Sequence, residues 1–155
     1  MPRARRLLLF LTLLAAPWAY AAAGAACTIS ATGVAFGSYD PQSGSVVDGA
    51  GTINVGCHPS DAAPTVSLSA GNSGTFAART MLSGGNSLNY NLYTTSARNV
   101  VWGDGFGGSV TVTLSGGSVS GGVRSYTQSV FGRVPGSQNV AAGSYSDTIT
   151  LTATF

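Results

Sequence analysis

The dominant repeat along the chain is two. Downstream of an apolar N-terminal run, no long segment places apolar residues at helical spacing. Short stretches instead alternate apolar and polar residues, bounded by Gly, Ser, Asn or Pro. The alternation predicts strands at Cys27–Phe36, Gly51–Cys57, Thr65–Ala70, Ser87–Thr94, Ser109–Leu114, Arg124–Val134 and Ser144–Phe155. Turn formers separate them: Asp40–Gly44, Ser83–Asn86, Ser115–Gly117 and Gly121–Gly122. Short strands at this spacing, in about 130 residues, predict an all-β sandwich. No internal repeat or domain linker interrupts it.

The last strand alternates without a break. Ile149, Leu151, Ala153 and Phe155 share one face, and Thr148, Thr150, Thr152 and Thr154 share the other. One reading is a sheet strand that happens to come last. The sharper reading is that it lies beside an edge completed by another chain, which makes those four apolar residues its docking face.

Charge changes the picture at the N-terminus. Arg3, Arg5 and Arg6 precede the run Leu7–Ala16, which is apolar except for Thr12, and Pro17 and an Ala-rich stretch follow. This order is that of a secretory signal peptide. The run is too short to cross a bilayer as a helix, which takes about 20 residues. Ala19 and Ala21 supply a small-x-small cleavage site, so residues 1–21 are the predicted signal peptide, or 1–23 with a cut after Ala23. Residues 22–155 then form one domain. They keep four Arg and five Asp, a formal charge of −1, with no basic patch for nucleic acid.

Export also sets the redox state. Cys27 and Cys57 are the only cysteines, and an oxidising compartment favours their pairing; two separate buried thiols are the alternative. Catalysis has little to work with. Only 8% of residues are charged, with no Lys and no Glu, and there is one His. Gly103, Gly105 and Gly108 fit G-x-G-x-x-G, but a strand-like run follows where a dinucleotide site needs a helix. His58, Ser60 and Asp61 are triad residue types, but they are packed into four consecutive residues that read as a turn. The five Asp all lie near Gly, Pro or Ser, where Asp caps turns. The expectation is no catalytic residue, no metal and no cofactor.

Several longer stretches carry a resemblance. Cys27–Pro41, Gly51–Cys57, Leu88–Tyr93, Val101–Gly105, Phe131–Pro135 with Gln138, and Ala142–Ile149 resemble, in order, the spore coat protein U domain. This is the subunit domain of archaic, Csu-type chaperone–usher pili of Gram-negative bacteria. The resemblance covers essentially the whole mature chain. It implies an incomplete immunoglobulin-like sandwich that lacks its final strand. A periplasmic chaperone lends a strand beside the C-terminal one, and at the outer-membrane usher the N-terminal extension of another pilus subunit replaces it. The protein would be a non-enzymatic pilus component on the cell surface, serving adhesion and biofilm formation. Phe36, Tyr90, Trp102 and Tyr145 fall in the matching stretches and read as core anchors.

One feature departs from that pattern. Cleavage after Ala21 leaves only Ala22–Ala26 ahead of Cys27, whereas a donor strand that crosses a groove of roughly 30 Å needs nine or ten residues at about 3.3 Å each. A subunit that accepts a strand and has none to give belongs at the tip. Cleavage after Ala16 would instead leave Trp18 and Tyr20 as anchors of a usable donor. The alternative from another class is a self-contained secreted carbohydrate-binding sandwich with Tyr39, Tyr93 or Phe106 as its platform. A spore or cell coat protein is a third.

Overall fold

A computed structural model describes residues 27–155; the predicted signal peptide lies outside them. Among the described residues, nine strands build two sheets. They are β1 (Thr28–Thr32), β2 (Val47–Cys57), β3 (Thr65–Leu68), β4 (Arg79–Ser83), β5 (Asn86–Tyr93), β6 (Val112–Thr113), β7 (Ser118–Ser120), β8 (Val123–Val134) and β9 (Leu151–Thr154). The larger sheet runs β1-β2-β8-β5-β4, with β7 on the start of β8, and the smaller runs β6-β3-β9. All strand pairs are antiparallel.

The spine is the ladder of β2 on β8, which runs from Val47 opposite Val134 to Cys57 opposite Arg124. Ile53, Val55 and Cys57 alternate inward from β2, and Tyr126, Val130 and Val134 from β8; all are buried. Val66 and Leu68 of β3 close the core from the second sheet. Trp102 is fully buried, and its indole N–H donates to the Val66 carbonyl at 3.0 Å. The ring thus fills the core without stranding its polar atom. Gly121 and Gly122, both at positive φ, make the two-residue turn between β7 and β8, a conformation that matches strand twist and favours Gly.

Four predicted strands come out shorter, Thr65–Ala70 only by its last two residues. Cys27–Phe36 keeps strand pairing only to Thr32. Ser109–Leu114 reduces to β6, plus a bridge between Trp102 and Val110. Ser144–Phe155 reduces to β9 and one bridge from Ser146 to Leu82, because the segment leaves the edge of one sheet and joins the other. β4 and β7 were not expected from the alternation.

Cys27 and Cys57 are bonded, which ties the head of β1 to the end of β2 across a separation of 30 residues. Closing a loop of that size contributes roughly 3–4 kcal/mol. Reduction is therefore expected to lower the unfolding temperature by about 10 °C or more, read by scanning calorimetry with and without reductant.

Two of the five Asp do not cap turns. On the outer side of the spine, Arg133 binds Asp48 through Nε at 2.7 Å and Nη2 at 2.9 Å, and Arg98 adds a contact at 3.2 Å. The hydrogen bond from Arg133 holds the Asp48 carboxyl below the usual carboxylate range. A carboxyl held low stabilises the fold above its unfolded pKa, and that stability is lost as pH falls through the lowered value. Asp48→Asn should lower the neutral plateau by a small amount, since the pair is largely solvated, and converge with the wild type at acid pH, so that the acid limb is flatter by that same amount. Asp147 is the other exception, and it belongs to the site below.

Candidate functional site

The two sheets do not close over each other along one side. β1 pairs only with β2, and β9 only with β3, among the described residues. Residues directly opposite in a ladder share a face. Ile29 stands opposite Val55, so it points toward the core, yet it is 41% exposed where Val55 is 1%. Across the gap, Leu151 stands opposite Leu68 and Ala153 opposite Val66. Leu68 and Val66 are buried, while Leu151 and Ala153 are only half-buried. Both edges therefore leave core-facing side chains uncovered. The sandwich lacks a strand between β1 and β9.

The gap is a groove. Its first cavity, about 330 Å³, has one wall from Ala31 to Phe36 and the other from Tyr145 to Leu151. The floor is Ile53, Leu68, Met81, Tyr90, Leu92 and Val130. A second cavity, about 620 Å³, continues it between Val34–Pro41 and Val140–Tyr145. The two share Val34, Phe36, Met81 and Tyr145.

Glycine shapes the first wall. After Thr32 the chain leaves the β2 edge and crosses the sheet face, and this crossing requires positions without a Cβ. A Cβ on Gly51 would lie 2.5 Å from the Thr32 carbonyl oxygen, and one on Gly132 would lie 2.5 Å from the Phe36 ring. The crossing seats Phe36 edge-on against Tyr90, with ring centroids 5.7 Å apart. Gly37, at φ +71°, then turns the chain away. Gly132→Ala is expected to cost about 1–3 kcal/mol through overpacking against Phe36. Phe36→Leu should recover part of that in the double mutant, and simple additivity of the two losses in denaturant melts would refute the contact.

Asp147 fixes the second wall. Its Oδ2 accepts the Tyr90 hydroxyl at 2.7 Å, and its Oδ1 accepts the backbone N–H groups of Asn72 and Thr148. Burial pushes the Tyr90 phenol above its ordinary range, and the bond to Asp147 pushes the same way. Tyr90 thus stays a neutral donor that links the groove floor to its edge.

The groove gathers most of the residues singled out from the sequence. Ile149 and Leu151 line it, and Ala153 packs against the core beside it. Phe155 lies past the end of β9, is 48% exposed and does not line either cavity. Phe36, Tyr90 and Tyr145 are wall or floor residues. Trp102 sits deeper and touches neither cavity. Gln138 lies apart from the groove lining, and its side-chain amide bonds both the N–H and the C=O of Asn89, in the middle of β5. Sequence reasoning missed Met81 and the role of Asp147. The Met81 signal was hidden because its strand partner in the alternation is an arginine.

The other motifs resolve into turns. The Asp61 carboxylate accepts the backbone N–H of His58 and not a ring nitrogen, so the three residues do not form a relay. Gly103–Ser109 is a loop, held by Asp104 Oδ1 on the Phe106 N–H and by the Ser109 hydroxyl on the Phe106 carbonyl. Tyr39 and Tyr93 are half-buried, leaving Phe106 alone strongly exposed, at 75%. The three aromatics make no platform.

Comparison with known proteins gives two findings. The Spore Coat Protein U domain family model matches residues 13–152. The fold is also similar to a chain in the crystal structure of the CsuC–CsuE chaperone–tip adhesion subunit pre-assembly complex, from the archaic chaperone–usher Csu pili of Acinetobacter baumannii. That likeness has a TM-score of 0.57 at 24% sequence identity, over 84% of this chain and 40% of that one. The chain thus spans less than half the length of that relative, and the likeness carries the fold alone. None of the curated proteins matches the sequence significantly.

Proposed function

The chain belongs to the Spore Coat Protein U domain family, and from that membership we propose that it is a structural, non-enzymatic subunit of a surface pilus built by donor-strand complementation. The observation that carries this is the open groove: core-facing Ile29 on one edge and Leu151 on the other await the same missing strand. An added strand gains main-chain hydrogen bonds along β9 and pockets for alternate side chains. A single inserted segment would bury both edges at once.

In this reading residues 1–21 are a cleaved signal peptide and residues 22–155 one pilin domain. A periplasmic chaperone fills the groove first. A strand from another subunit replaces it at an outer-membrane usher, and the finished protein stands on the cell surface, where it serves adhesion and biofilm formation. The docking face is Ile149, Leu151 and Ala153, with Phe155 at its end.

Expression in a periplasm decides the matter. Alone, the subunit should aggregate or be degraded, because an exposed edge with apolar flanks invites mispairing. With its chaperone it should be recovered as a soluble one-to-one complex. A soluble, stable monomer obtained without any partner would overturn the proposal.

A further inference from the structure

We infer that Asp147 is a positioning residue that sets the register of β9 against β3, and so decides which side chains stand along the groove wall. The inference deepens the incomplete-sandwich reading above, and rests on it for its consequence at the groove.

Alternation fixes the face of the last strand and leaves its register open. A slip of one residue turns every apolar side chain to the other face, whereas a slip of two restores the faces. From Thr148 to Phe155 the chain repeats Thr followed by an apolar residue, four times over. Sliding it by two puts Ile149 or Ala153 opposite Leu68, where Leu151 now stands, and again sets a Thr opposite Ser67. The bonds at the ends of the segment do not choose either. Leu82 exchanges two bonds with the backbone of Ser146, and Ser69 exchanges two with the backbone of Thr150. Any residue supplies those backbone groups.

Between these two anchors the chain passes from one sheet to the other, and Asp147 lies in the passage. Among the described residues it is the one side chain from Ser146 to Phe155 that hydrogen-bonds to a distant segment. Its Oδ2 accepts the Tyr90 hydroxyl at 2.7 Å, and its Oδ1 accepts the Asn72 N–H at 2.9 Å. Gly71, at φ +66°, leaves the space for it, and a Cβ there would overlap the carboxylate. A slip of two moves position 147 by roughly 7 Å, out of reach of both partners. One hydrogen bond to a charged group biases an equilibrium by roughly tenfold or more, and the slip forfeits two. In the observed register Ile149 and Leu151 line the first cavity. With Ala153 in the place of Leu151, the wall would lose a large side chain.

Engineered disulfides in the exported full chain read the register directly. Residues directly opposed on antiparallel strands have Cα atoms about 4.5–5.5 Å apart, within disulfide range. Ser67→Cys is combined in turn with Thr150→Cys, Thr152→Cys and Thr154→Cys, and the links are mapped by mass on non-reduced peptides. With Asp147 in place, position 67 should link to position 152 and to neither of the others. In Asp147→Ala the links from position 67 to positions 150 or 154 should rise roughly tenfold or more. Asp147→Asn should keep the native register, because its amide oxygen still accepts the Asn72 N–H and its NH2 donates to the Tyr90 oxygen. Exchanging two residues, Asp147→Ile with Ile149→Asp, should move the register by two, so that position 67 links to position 154. The native link alone in Asp147→Ala would overturn the inference, since something else would then set the register. Loss of every link in both Asp147→Ala and the exchange variant would also overturn it, since Asp147 would then serve the fold as a whole. The links form within one chain, so a soluble monomer obtained without any partner would sink the groove reading and leave the link pattern as it is.

Discussion

Leu151→Asp is expected to abolish strand capture, while Thr152→Asp, one residue along, leaves it within a few-fold. The two differ only in face. Leu151 stands opposite Leu68 and lines the groove; Thr152 stands opposite Ser67 and is exposed. Before capture the new carboxylate at 151 still reaches water from the open edge. After capture it would lie under the inserted strand with no partner, and an unpaired buried charge is among the costliest defects a protein can carry. A loss of at least roughly 100-fold in affinity follows, since about 2.7 kcal/mol suffices for that. Chaperone co-purification from the periplasm gives the qualitative reading, and titration with an alternating apolar peptide gives the ratio. Leu151→Ala serves as the milder control, because it shrinks the pocket without adding charge. Equal losses for Leu151→Asp and Thr152→Asp would contradict the assignment of faces. Phe155→Asp should resemble the Thr152 variant more than the Leu151 one, given that Phe155 lies outside both cavities.

The sequence showed the strands that alternate cleanly and concealed those that do not. β2, β5 and β8 were legible because their inward positions are Ile, Val, Leu and Tyr between polar neighbours. β4 was not, because its inward set begins with Arg79, and an arginine breaks the apolar pattern even when it is fully buried. β7 has Ser on both sides of a single Val and exists only as the short arm of a glycine turn. The docking residues could be read as one face of one strand, but their facing wall could not. That wall depends on Thr32–Phe36 crossing the sheet over Gly51 and Gly132, positions far apart in the chain. Each glycine alone reads as a turn or a weak strand position; only the fold shows that the missing Cβ is what lets a second segment pass. The same holds for Asp147. Its neighbours Ser146 and Thr148 suggest a turn, and its partner Tyr90 is 57 residues away.

The residue that was hardest to foresee should give the largest loss of stability. Arg79 has no exposed surface, and no ion pair is formed with it among the described residues. Burial lowers its pKa, so the cation is held under strain from desolvation. What satisfies it is a ring of neutral acceptors. Nε and Nη2 donate to the Ser69 carbonyl at 3.0 and 2.9 Å, Nη2 to the Trp102 carbonyl at 2.7 Å, and Nη1 to Asn91 Oδ1 at 2.7 Å. The Phe76 ring lies 5.1 Å below the guanidinium. Asn91 is pinned in turn by the Phe76 carbonyl. One side chain thereby joins β4 and β5 to the end of β3 and to the loop that begins at Trp102. Arg79→Ala removes the donors and leaves buried carbonyls unpaired beside a void, which is expected to cost about 3–5 kcal/mol. That corresponds to roughly 10–20 °C in unfolding temperature, measured with the groove filled by the same saturating peptide in every variant so that occupancy does not differ. Arg79→Lys tests the mechanism. It keeps the charge, but a single ammonium lacks the planar fork needed to reach Ser69, Trp102 and Asn91 together. It should recover less than half of the loss. Full recovery by Lys would mean that charge alone matters at this position and that the fork geometry does not.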